Sequence, residues 1–344
     1  MSDTESTDSL PQLPHRQPSP AWLAASVEEA LEPQLPIIDC HHHFFPEHWG
    51  GYLLPDLLKD TASGHDIRAT VYVQCGWHYR DSGPEPLRPV GETEAVVALA
   101  KEAAGARTKV AAAIVGFADL CLGDDVDEVL AAQIAAGEGR LRGIRNSAAR
   151  HSAFKHGVLP RPRPHLYADP AFRRGFACLA RHELSFDAWI YHPQLPDVIE
   201  LAAAFPSISI VLDHVGGLLA VGPLQGRRAD AVREWLPSLR LLAQCPNVSV
   251  KLGGLGTAVF GFDFSSQPAP PTSQTLAESW RPVFEPVMEL FGPERCMFES
   301  NYPVDRAAAG YGVLWNAFKR LTVGAGKEHR AMLFHDTAAR VYRL

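Results

Sequence analysis

The chain has 344 residues, of which 46% are hydrophobic and 21% charged, and its formal net charge is −7. That balance describes a globular protein with ample length for a large core, and it supplies no basic run for a nucleic-acid partner. No apolar stretch is long enough to span a membrane, and the N-terminus shows no signal-peptide pattern. Six cysteines, at 40, 75, 121, 178, 245 and 296, are scattered with no CxxC pair. They read as small buried thiols in a reducing, cytoplasmic compartment, not as disulfides or a zinc knuckle.

Residues 1–34 read as an N-terminal tail. Its first 20 residues are polar and rich in Ser, Asp and Pro, which predicts disorder, and Trp22 to Leu31 predicts a short helix. A single domain follows over 35–344. Its first strand, Leu35 to His41, ends in His41, His42 and His43. Alternation would place Asp39, His41 and His43 on one strand face, where two imidazoles are well placed to hold a metal or bind an anion.

From there β-rich and helical runs alternate. Strands are predicted at 69–75, 110–116, 141–145, 184–191, 208–213, 247–252 and 295–300. Helices are predicted at 92–104, 124–136, 170–182, 195–205, 230–244 and 273–291, the last kinked or split by Pro282 and Pro286. Two more, at 313–323 and 327–342, close the chain. Eight strands, most followed by a helix, predict an α/β fold, a single-domain (β/α)8 TIM barrel. An open doubly wound sheet would carry a Gly-rich phosphate turn after its first strand, and here that turn is His-rich. The long segments 44–68, 146–169 and 253–272 read as lid loops over the C-terminal face. Their aromatic residues (Phe44, Phe45, Trp49, Tyr52, Phe260, Phe262 and Phe264) read as substrate walls.

Polar residues gather at the predicted strand ends while the strand interiors are apolar. The ends offer His41 and His43, Gln74 and Trp77, Arg142 and Arg145, His192, Asp213 and His214, Lys251, then Glu299, Asn301 and Asp305. Arg145, nearer its strand end, suits a carboxylate or a polarised carbonyl, while Arg142 reads as an exterior ion-pair partner. Gln74, Trp77, Lys251 and Asp305 read as further substrate-binding positions.

The order of the HxH pair, Ile190-Tyr-His-Pro193, Leu212-Asp-His-Val-Gly216 and Phe298-Glu-Ser-Asn-Tyr-Pro303 resembles the amidohydrolase superfamily. More narrowly it looks like the amidohydrolase-2 branch, which includes sugar lactonases, and the likeness covers roughly residues 35–342. The resemblance implies a hydrolase acting on a lactone or related carbonyl, with a small-molecule substrate. His41, His43, His192 and His214 would be catalytic, and they are the candidate ligands for zinc. Members of the branch include both metal-dependent and metal-free enzymes, so either state fits, and homo-oligomers are left open. The branch usually ends its eighth strand with an aspartate that activates water, and here Asn301 stands in its place. An amide does not accept that proton at neutral pH, so Glu299, two residues earlier, is the expected replacement base. Two alternatives are a zinc-dependent aromatic-acid decarboxylase and a non-catalytic ligand-binding barrel.

Overall fold

Period-two alternation sorts the side chains of each strand into two sets, one inside a barrel and one under the surrounding helices. The computed structural model describes residues 18–152 and 162–344. The expected disorder of the first residues and the middle of the 146–169 loop lie outside the described residues. Eight strands run parallel in sequence order: β1 Pro36–His42, β2 Asp66–Val73, β3 Lys109–Gly116, β4 Leu141–Arg145, β5 Ser185–Ala188, β6 Ile210–Leu212, β7 Val248–Leu252 and β8 Cys296–Phe298. The ring closes just past β8. There the Asn301 amide donates to the His41 carbonyl at 2.9 Å, and the His43 amide donates to the Tyr302 carbonyl at 2.7 Å. The (β/α)8 expectation holds.

The barrel's inner set is small and apolar: Ile38, Cys40, Ala69, Val71, Val73, Ala113, Val115, Val211 and Met297, met by Ala338, Val341 and Tyr342 of the last helix. The outer set is larger. Phe186 of β5, for example, meets Phe172 and Phe176 of the helix Pro170–Arg181 edge-on. Each such buried side chain contributes about 1.5–3 kcal/mol. That helix starts sharply because the Asp169 carboxylate accepts from the Ala171 and Phe172 amides, with Pro170 in the first turn.

The structure differs from expectation at several elements. The N-terminal helix is Pro20–Ala24, capped by Ser19, and does not extend to Leu31. The segment 44–68 holds a helix of its own, Leu54–Thr61. Pro282 and Pro286 do not split the helix Ser273–Phe291. Pro282 and Glu278 are both exposed, so the carbonyl that loses its partner to Pro282 faces water. Near the C-terminus a π-helical turn, Met332–Asp336, separates Lys327–Ala331 from Thr337–Tyr342. All six cysteines are free.

β1 carries the irregularity that matters most. Asp39 pairs with Thr70 and His42 with Tyr72, so three steps on β1 match two on β2. This bulge breaks the alternation. Asp39 leaves the predicted set and accepts from the Ser300 amide at 2.9 Å and the Tyr311 hydroxyl at 2.9 Å. His42 turns outward between Phe44 and Tyr72. His41 and His43 remain together, with their Nε2 atoms 3.1 Å apart.

Candidate active site

From β4 onward, the last inward position of each strand, or the residue just after it, carries a charge: Arg145, Asp187, Asp213, Lys251 and Glu299. All five are buried. A burial this deep is tolerated only when charges pair. The Lys251 ammonium lies 2.6 Å from Asp187, 2.9 Å from Asp213 and 3.1 Å from His41 Nδ1. Arg145 reaches Asp213 at 3.3 Å and donates to the Gln74 carbonyl. Tyr342 donates to Asp187 at 2.8 Å from the barrel floor. Burial alone would lower the Lys251 pKa, but Asp187 and Asp213 outweigh it and hold it well above its ordinary value. One ammonium does not fully neutralise two carboxylates. Burial lifts Asp187 to about 6 despite Lys251. In Asp213 burial acts the same way, but Lys251 and then His41 hold the pKa well below the ordinary value.

Glu299 forms a second clamp. Its Oε1 lies 2.6 Å from His214 Nδ1 and its Oε2 lies 2.9 Å from His41 Nδ1. Burial pushes its pKa up, but the two imidazoles, His214 foremost, outweigh that and hold it at about 2. A carboxylate only accepts, so His214 Nδ1 carries its proton toward Glu299 Oε1. His41 Nδ1 stands between an acceptor, Glu299 Oε2, and a donor, the third N–H of Lys251. His43 Nδ1 donates to the Val73 carbonyl at 2.7 Å. Burial, then the charge of Lys251, lowers His41 to about 4, and burial, then His41 and Arg145, lowers His43 well below its ordinary value. The Nε2 atoms of His41 and His43 face each other, and Arg145 Nη1 lies 3.4 Å from that of His41.

His41, Asp213 and His214 bring donor atoms within 4.8 Å of one another. Imidazole and carboxylate are donors that zinc accepts. With neutral histidines, three acids against two cations leave the buried group one charge short. The residues whose geometry fits a divalent ion are His41, Asp213 and His214, with His43 Nε2 3.1 Å from His41 Nε2.

The other predicted residues are placed differently. His192 is buried beside the group but outside it: its Nδ1 accepts from the Leu219 amide at 3.0 Å. Its Nε2 therefore carries the proton and offers no lone pair to a metal. Lys251 is fully buried with its donors engaged, below any substrate. Gln74 lends its carbonyl to Arg145, and its buried side-chain amide has no partner among the described residues. Trp77 meets Phe44 and His78. Asn301 donates to Asp305 at 2.9 Å. Arg142, expected in an ion pair, lies near the like charge of Arg343, and its pKa is lowered by burial and by that charge.

The loop aromatics divide. Phe44, Phe260, Phe262 and Phe264 pack into the apolar core and are not substrate walls. Tyr52 is buried and donates to Asp60. Phe45 stacks on His43 at 6.0 Å and Trp49 meets Phe45. Trp189 meets His214 edge-on at 4.6 Å. Gly253 and Gly254 complete the wall, the latter at φ +74. A side chain at Gly254 would collide with the His214 ring, and one at Gly253 with Glu299. Sequence reasoning missed Asp187, Trp189 and Tyr342 and gave Asp213 no role. Alternation within Ser-Phe-Asp-Ala was the available signal for Asp187.

A closed parallel barrel with imidazoles and paired charges at its C-terminal rim defines a TIM-barrel hydrolase. The family model described as Amidohydrolase matches residues 38–344, and the chain belongs to that family. It is 34% identical over 296 residues to the uncharacterised protein y4mH of Sinorhizobium fredii, covering 85% of this chain and 86% of that one. It is 30% identical over 282 residues to L-fucono-1,5-lactonase of Burkholderia multivorans, covering 77% and 87%. A crystal structure of a Burkholderia multivorans amidohydrolase with bound zinc superposes with a TM-score of 0.68 at 27% identity, covering 90% of this chain and 99% of that one. No helix among the described residues is long and apolar enough to cross a membrane.

Proposed function

We propose that the protein hydrolyses a lactone of the sugar-acid type by addition of water to its ring carbonyl. The observation that carries this reading is the clamp made by Glu299 on His41 and His214, which holds the two rings together with Asp213, their donor atoms within 4.8 Å of one another. The likeness to L-fucono-1,5-lactonase supports the substrate class. A bound zinc ion would supply Lewis acidity to the carbonyl or to water there. The chain's own residues do the remaining work. Glu299 acts through the imidazoles, fixing the His214 tautomer and holding both rings in place. Arg145 keeps its Nε without a partner among the described residues, so it retains a donor for the oxyanion that forms on the carbonyl oxygen. Asp213 and Lys251 fix Arg145 from below. Phe45 and Trp189 flank the imidazoles with ring faces and edges that exclude water from one side of the substrate.

A panel of γ- and δ-sugar lactones, followed by proton release on ring opening, tests the reading alongside elemental analysis of the purified protein. Turnover of a 1,5-lactone is expected, with near-stoichiometric zinc. Failure to open any lactone would overturn the assignment. Turnover by protein free of metal would retain the lactonase reading and remove the ion.

A further inference from the structure

Beyond the histidines, one buried acid near the rim is unassigned in this chemistry. Asp305 lies in the turn Val304–Ala307, one helical turn beyond Asn301, and it is 1% exposed. Its Oδ1 accepts from Asn301 Nδ2 at 2.9 Å, and its own amide donates to the Asn301 carbonyl at 3.1 Å. That double tie fixes both side chains. Donating its NH2 to Asp305 turns the Asn301 amide so that Oδ1 has no partner among the described residues, and Asp305 Oδ2 has none either. Buried polar atoms are nearly always paired, so two unpartnered acceptors side by side mark a place for a donor. Water, with two O–H bonds to give, is the smallest molecule that fits this need. The Asn301 backbone N–H also donates to the His41 carbonyl at 2.9 Å, which ties the pair to the strand that carries the imidazoles.

We infer that Asn301 and Asp305 together hold the attacking water, and that Asp305 Oδ2 is the base that takes its proton. The inference rests on the lactonase reading above. The water oxygen bonds to the ring carbonyl carbon as its proton passes to Oδ2, and the carbonyl oxygen becomes the oxyanion. Collapse of that intermediate re-forms the C=O bond and breaks the ring C–O bond. The released alkoxide oxygen takes the proton back from Asp305. One water is consumed, the product is an open-chain hydroxy acid, and the enzyme returns to its starting state. Asn301 accepts the second water hydrogen through Oδ1 and stays neutral.

The surroundings of Asp305 suit the task. Burial raises it to about 7, against the opposing pull of His214, the Asn301 hydrogen bond and the backbone N–H of Gly256. The ionisable groups that face it are His214, which lowers the value, and Glu299, which raises it. A base poised near neutrality is the efficient one for proton transfer at neutral pH. Glu299 differs, because both of its oxygens are engaged with imidazoles.

Steady-state kinetics on the lactone turned over fastest by the wild type tests the assignment. Asp305→Asn keeps an amide-to-carbonyl hydrogen bond to Asn301, and it should lower kcat by about 10²–10⁴-fold with KM changed less than about threefold. The exchange N301D/D305N returns one carboxylate and one amide to the pair, and it should recover activity to within about tenfold of wild type. The wild-type kcat/KM should fall on the acid side with an apparent pKa near neutral, a reading that needs no variant. A folded D305N with unchanged kcat, an exchange variant that is folded but as slow as D305N, or a profile flat from about pH 5 to 9 would each overturn the role of Asp305. Those results leave the lactonase reading standing. A wild type inert on every lactone overturns that reading and this inference with it.

Discussion

The two halves of the barrel wall use the same alternation for different ends. Inward positions of β1 to β3 are Ile38, Cys40, Ala69, Val71, Val73, Ala113 and Val115, a dry packing surface. Inward positions at the ends of β4 to β8 are Arg145, Asp187, Asp213, Lys251 and Glu299, a connected set of charges. The first half is held by burial of apolar area, which tolerates modest change of shape. The second half is held by matched charges, and losing one member leaves the rest uncompensated. The histidines of β1 are set against the charged half, so the site forms where the two kinds of wall meet.

Removing the centre of the charged half should produce the largest effect. Lys251→Met leaves Asp187 and Asp213 facing each other without their ammonium, at a cost of about 3–5 kcal/mol. Urea unfolding at pH 7.5 measures it, and a variant as stable as wild type would show that the charges do not act as a unit. Next comes Glu299→Gln, which keeps the shape but loses the clamp on two imidazoles. Activity and metal retention should each fall about 10–100-fold, as for other groups that orient ligands. Full activity in a folded E299Q would end any role for this carboxylate.

The dry half supplies a pH test. Burial lowers His42 to about 3, and neither ring nitrogen has a partner among the described residues. Below about pH 6.5 the unfolded chain binds a proton there that the folded chain refuses, so this residue's contribution falls as pH drops from 6.5 toward 3. At pH 5 the penalty is about 2 kcal/mol. His42→Leu should therefore gain on wild type by that amount between pH 7.5 and pH 5, read from unfolding at both values. Equal stability differences at the two pH values would show that His42 is protonated in the folded state. The smallest effect is expected at the floor. Tyr342→Phe removes one hydrogen bond to Asp187 and should cost about 1 kcal/mol.

The barrel was legible because its strands and helices alternate in the chain and tertiary packing respects that order. The joint motif around His41, His214 and Glu299 was legible because each residue ends a β-rich run. Two features were hidden for physical reasons. The bulge in β1 depends on a mismatch in pairing with β2, and no pattern within Ile37-Ile-Asp-Cys-His41 reports its partner's register. The engagement of Lys251 depends on Asp187 and Tyr342, which lie 64 and 91 positions away in sequence and meet it only inside the closed ring. The loop aromatics misled because Phe260, Phe262 and Phe264 serve the core from within a segment that reads as a lid.

The bare main chain at Gly253 and Gly254 has a consequence for anyone redesigning this catalyst. There the main chain is pressed against a carboxylate and an imidazole, so a side chain introduced at either codon collides with Glu299 or His214. Libraries aimed at new selectivity belong at Phe45 and Trp189, where exchangeable rings already meet His43 and His214.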